Sequence, residues 1–145
     1  MGKRCRYDGT AARSEAVCRL VDALRARGVR VRLVCPECSA RLGRPREPAE
    51  LRADGRVVTR TGLDVTERFY AGAAAACAAV EAAVPVLVVL KAKSPSCGVY
   101  EVYDGSFSAT LRPGRGIAAE RLVQAGWPVV DERDVEAFGT AADGV

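Results

Sequence analysis

The chain has 145 residues, 49% of them apolar and 28% charged, and a formal net charge of +4. That length buries a single core without disulfide or metal staples, and the composition is globular rather than disordered. Histidine is absent, which excludes mixed Cys/His zinc sites, Ser-His and Cys-His nucleophile pairs and imidazole bases from a monomeric site. Proton transfer falls to carboxylates, hydroxyls, Lys or Tyr.

The first ten residues, MGKRCRYDGT, are basic but have no apolar segment behind them, so no secretory signal is expected. No apolar run approaches the ~20 residues that span a bilayer. A soluble, cytoplasmic protein without a membrane partner is the expectation. In SEAVCRLVDALRAR, residues 14–27, Val17, Leu20, Val21 and Leu24 fall at helical spacing, with Ser14 as N-cap and Gly28 as stop. VRVRLVC then alternates as a strand ending at Cys35 and Pro36. Residues 36–65 are rich in Pro and Gly with little periodicity, an irregular insertion of the kind that covers a substrate site.

Thr66 to Ala83 is a second helix, capped by Thr66 and stopped before Pro85. VPVLVVLK, residues 84–91, is the most apolar run and predicts a strand buried on both faces, as in parallel sheets. It ends in the tight loop KSPSCG, residues 93–98. GIAAERLVQA, residues 116–125, predicts a third helix closed by Gly126, and WPVV a short strand with helical residues beyond Asp131. Alternating α and β elements predict one α/β domain over residues 1–145. Its expected core is a three-layer, Rossmann-like parallel sheet with crossover helices and the insertion after the first complete strand.

Six cysteines stand at 5, 18, 35, 38, 77 and 97. In a reducing compartment they favour metal or catalytic roles over disulfides. Cys18 and Cys77 lie inside helices and read as small packing hydrophobes. Cys35 and Cys97 both follow the C-terminal end of a predicted parallel strand, where open α/β sheets place their ligands. A shared site and two unrelated buried thiols both satisfy that spacing. Closed structural zinc takes four ligands in two close pairs, and only Cys35/Cys38 forms such a pair. A redox dithiol wants a helix start that the Pro/Arg-rich stretch after Cys38 does not signal. An iron–sulfur cluster accepts thiolates from separate loops. The 22 cationic residues, 19 of them arginine, are interspersed with 18 acids. They read as a solvated surface rather than a nucleic-acid patch.

CRYDG at 5–9, CPE at 35–37, LGRPREPAEL at 42–51, GLDVT at 62–66, and LKAKSPSCG with YDGSF at 90–107 together resemble the DUF523 family of thiouracil desulfidases. The likeness runs from residue 2 to about residue 132. Ser106 stands where the family pattern has Thr. The resemblance implies a [4Fe-4S] cluster held by three cysteines with one iron open, and by motif Cys35 and Cys97 are two of these ligands. Counted back from Arg6, the family's first cysteine falls two residues ahead of Met1. The third thiolate is therefore expected from an upstream segment, with Cys5 or Cys38 as the alternative.

The implied reaction is non-redox hydrolysis of the C=S bond of a thiolated pyrimidine such as 2-thiouracil, with release of sulfide. An open iron is a Lewis acid for soft sulfur. Glu37, two residues from a ligand, is the candidate base. Ser94 and Ser96 are candidates for proton relay or for hydrogen bonding the ring, and Asp8 for orienting the base edge. Lys91 and Arg46 are candidates to neutralise negative charge. Two alternatives stand beside this reading: a non-catalytic zinc- or iron–sulfur-binding module on Cys35, Cys38 and Cys97, and a sulfur-handling accessory protein. Zinc would be colourless where an iron–sulfur cluster absorbs near ~400 nm.

Overall fold

The structure, a computed structural model, describes residues 14–43 and 45–142. Helix α1 (Glu15–Ala26) is followed by the single-turn α2 (Pro36–Ser39) and the strands β1 (Ala49–Leu51) and β2 (Val57–Thr59). After them come α3 (Thr66–Ala83), β3 (Val88–Leu90), β4 (Glu101–Tyr103) and β5 (Leu111–Pro113). The chain then forms α4 (Ile117–Gln124), β6 (Val129–Asp131) and α5 (Glu132–Ala142). The three helices expected from periodicity are thus present. Ser14 caps α1 by accepting the Val17 N–H at 3.2 Å, and its own hydroxyl donates to Glu136 Oε1 at 2.7 Å, tying α1 to α5. At α3 the N-cap position is Val65 rather than Thr66. Asp64 supplies the acceptor instead, taking the Thr66 N–H at 2.9 Å.

The strands pair differently from expectation. β3 and β6 run parallel, whereas β1–β2 and β4–β5 are antiparallel pairs. Among the described residues the fold is therefore mixed α/β with three two-stranded sheets, not a wide three-layer parallel sheet. The predicted strand at 29–35 forms no ladder among these residues. Alternation only makes a ribbon amphipathic; a strand also needs a neighbour for its N–H and C=O groups. Val29, Leu33 and Val34 are each more than two-fifths exposed. The run at 84–91 is likewise not buried on both faces, since Val86 is 89% exposed. Among the described residues β6 covers one of the two edges of β3 and no strand pairs with the other, so among them β3 lacks the enclosure that a central parallel strand receives.

The core lies elsewhere. Phe69 and Ala73 of α3 pack with Leu51, Val57, Val65, Val102, Ile117 and Ala118, joining α3 to both hairpins and α4. Full burial of a side chain such as Phe69 contributes about 1.5–3 kcal/mol. The stretch expected to be irregular, 36–65, thus contributes α2 and a hairpin that closes the core. Its turn is Asp54-Gly55, with the Asp54 carboxylate accepting the Arg56 N–H at 3.0 Å. A second tie joins β6 and α5 to β4. Asp131, fully buried, accepts from Arg133 Nε at 3.0 Å, and Arg133 Nη1 reaches Glu101 at 2.8 Å, linking β6 and α5 to β4.

Candidate functional site

Two close backbone approaches build the site. α2 lies directly on α3 at Gly72, where an added Cβ would stand 2.2 Å from the Pro36 carbonyl oxygen and 2.7 Å from the Ala40 Cβ. No larger residue admits this packing, which fixes the Cys35-Pro36-Glu37 turn. Pro36 is buried there, at the first position of α2. On the other side, the Ser94–Cys97 loop lies on the start of α4. Its Pro95 and Ser96 carbonyls accept the N–H groups of Ile117 at 3.0 Å, Ala118 at 2.9 Å and Ala119 at 3.1 Å. Gly116 permits this, since a Cβ there would fall 2.4 Å from the Ser96 carbonyl carbon.

Within that loop Ser94 Oγ accepts the N–H groups of Ser96 and Cys97, each at 3.1 Å, and so holds the turn. Lys93, just before it, takes the left-handed conformation with φ +63°, an uncommon state for a long side chain. Such conformations persist where the surroundings over-determine them. Ser96 is 1% exposed, and its hydroxyl finds no hydrogen-bond partner, the one such buried side-chain atom among the described residues. A buried hydroxyl left unpaired costs about 1–3 kcal/mol.

The two loops bring Cys35, Glu37 and Cys97 together. Burial pushes the Cys97 thiol up to about 12, and the nearby Glu37 and Cys35 add to the rise. Hydrogen bonding from Ser94 and from the Lys91 backbone works in the opposite direction. The metal-free site therefore keeps Cys97 as a neutral thiol, and a bound cation would be needed to draw off its proton. Two thiols from separate loops suit a soft, thiolate-bound group such as an iron–sulfur cluster. Among the described residues no group of three or more Cys, His, Asp or Glu side chains is placed to hold a metal ion. Cys38 sits one turn beyond Cys35 in α2, half-buried. Asp8 and Cys5 lie outside the described residues.

Arg46, expected to neutralise the negative charge of a cluster or substrate, has a specific partner in the structure. Its Nε and Nη2 both donate to Glu37 Oε2, the former at 3.2 Å, and Nη1 donates to the Gly43 carbonyl at 3.0 Å. The signal available was an arginine nine residues beyond the candidate base. Lys91 pairs with Glu132, whose Oε1 also accepts the Ala92 N–H at 3.1 Å, which anchors the end of β3. Cys18 and Cys77 stand apart from the site. Both are half-buried, and Cys77 Sγ lies 4.0 Å from the Ala118 carbonyl, with burial raising its thiol pKa.

Known proteins resemble the chain over nearly its whole length. The family model described as 2-thiouracil desulfurase matches residues 1–134. The uncharacterized protein YbbK of Bacillus subtilis (strain 168) is 38% identical over 143 residues, covering 92% of this chain and 91% of its own. Among solved structures, the [4Fe-4S]-dependent thiouracil desulfidase TudS (DUF523Vcz) superposes with a TM-score of 0.82 at 36% identity. That match covers 99% of this chain and 93% of the other.

Proposed function

The chain belongs to the 2-thiouracil desulfurase family, and from that premise we propose that it hydrolyses the C=S bond of a thiolated pyrimidine such as 2-thiouracil. The observation that supports this most is the convergence of Cys35 and Glu37 on Cys97, whose loop also carries the unpartnered hydroxyl of Ser96. Cys35 and Cys97 would hold a [4Fe-4S] cluster together with a third thiolate. When bound, such a cluster supplies an open iron that acts as a Lewis acid toward the thione sulfur.

The residues of the chain divide the remaining work. Glu37 takes a proton from water as its oxygen bonds the thione carbon; the C–S bond then breaks and sulfur leaves as sulfide, with carbonyl replacing thione. Electrons balance without an external oxidant or reductant. Ser96 Oγ hydrogen-bonds the pyrimidine, which satisfies the hydroxyl that the protein itself leaves unpaired. Ser94 keeps the loop closed and donates toward Cys97, and Asp8 binds the base edge.

Anaerobic reconstitution with iron and sulfide, followed by assay of sulfide release from 2-thiouracil, tests the proposal. Stoichiometric conversion to uracil and sulfide is expected. A protein with a full cluster that releases none overturns it, and in that case the sulfur-handling accessory reading takes its place. Zinc bound in preference to iron points to the binding module instead.

A further inference from the structure

We propose that Arg46 is the positioning residue for Glu37, an inference that rests on the reading of Glu37 as the general base. Among the described residues Arg46 is held by Gly43 and Glu37, through Nη1 on the Gly43 carbonyl and Nε with Nη2 on Glu37 Oε2. Its side chain is 10% exposed and that of Glu37 19%, so the pair is held largely away from solvent. A long, flexible glutamate would otherwise sample several rotamers, and a displacement of an ångström at a reacting group costs about a hundredfold in rate.

The pattern of donors also selects the oxygen. Both nitrogens facing the carboxylate take Oε2, whereas Oε1 accepts no hydrogen bond among the described residues. Oε2 is thereby committed to the ion pair and Oε1 remains as the proton acceptor. A planar guanidinium does this through two adjacent N–H groups in fixed relation, which a lysine ammonium does not reproduce. The same side chain staples the loop 37–46 across its base, since Glu37 lies in the first turn of α2 and Gly43 beyond its end. Arg46 therefore sets the place of the carboxylate through the loop as well as through the charge.

A double-mutant cycle tests this in the reconstituted protein. Arg46→Gln is expected to lower kcat for sulfide release by about ten- to a hundredfold, with KM changing less than about threefold and iron content unchanged. Arg46→Lys, the variant that carries the test should Arg46→Gln fail to fold, is expected to recover part of that loss. Glu37→Gln/Arg46→Gln is expected to be no slower than Glu37→Gln alone, because a positioning residue has nothing to position once the base is gone.

In the metal-free protein the same cycle read by urea unfolding should show the two losses to be less than additive, as for residues in contact. Additive losses of kcat, a full kcat in Arg46→Gln, or additive losses of stability would each overturn the assignment. Full activity in Glu37→Gln would instead remove the base from the proposed reaction, and the role of Arg46 with it, while leaving the desulfidase reading intact.

Discussion

Ser96 is the residue at which the proposed function and the demands of folding separate most clearly. Its neighbours Pro95 and Gly98 have backbone partners, and its own carbonyl accepts two N–H groups of α4. Its hydroxyl alone is buried without one. Removing an unsatisfied buried hydroxyl relieves a desolvation cost, so Ser96→Ala is expected to leave stability unchanged or raise it by up to ~1 kcal/mol. Sulfide release from 2-thiouracil should fall at least about tenfold in the same variant, as for loss of one oriented donor. Urea unfolding and steady-state kinetics on one preparation check both halves. A loss of stability without loss of rate would mean that the hydroxyl is structural. Ser106 shows the opposite economy. It keeps the Oγ that its family counterpart Thr offers, donating to Asp104 Oδ1 at 2.6 Å, and this bond helps hold the Asp104 carboxyl below its ordinary range. The change from Thr thus retains the chemistry of the turn.

At the scale of elements, the site depends on α2 being pressed against α3. Gly72→Ala introduces a methyl where 2.2 Å separates the new carbon from the Pro36 carbonyl oxygen. Relief requires α2 to move, so the variant should lose about 1–3 kcal/mol of stability, the usual cost of overpacking. Cys35 and Glu37 move with α2, so iron content after reconstitution should fall as well. Unchanged unfolding and unchanged iron would show that α2 is held by other contacts. The sequence carried part of this arrangement. Cys35 and Cys97 were legible as residues following apolar runs, and Thr66–Ala83 as a helix though not its cap, because these features are local. Gly72 within an Ala-rich helix was a signal too, since an isolated glycine there marks a close backbone approach. The β1–β2 hairpin was announced only by Asp54-Gly55 between strands of three residues, too short for alternation to register. The pairing of Glu37 with Arg46 depends on how the loop folds back, which spacing does not encode.

For the whole molecule, the three two-stranded sheets and the α3-centred core serve to bring residue 35 and residue 97 to one place. The wide parallel sheet expected from the α/β alternation did not form among the described residues. A ladder depends on which neighbours lie beside a strand, and hydrophobic pattern alone does not specify them. Local periodicity therefore identified helices better than it identified sheets. Among the described residues no helix is long and apolar enough to cross a membrane. On the proposed function Cys35 and Cys97, out of the chain's six cysteines, hold one metal group, while Cys18 and Cys77 only pack.

The most direct test is the iron bound per chain, with the absorption band near ~400 nm, after anaerobic reconstitution of single Cys→Ser variants. Cys18→Ser and Cys77→Ser are expected to retain the iron of the unaltered protein, and Cys35→Ser and Cys97→Ser each to lose most of it while keeping their far-UV circular dichroism. Full iron retention in a folded Cys97→Ser protein would contradict the account.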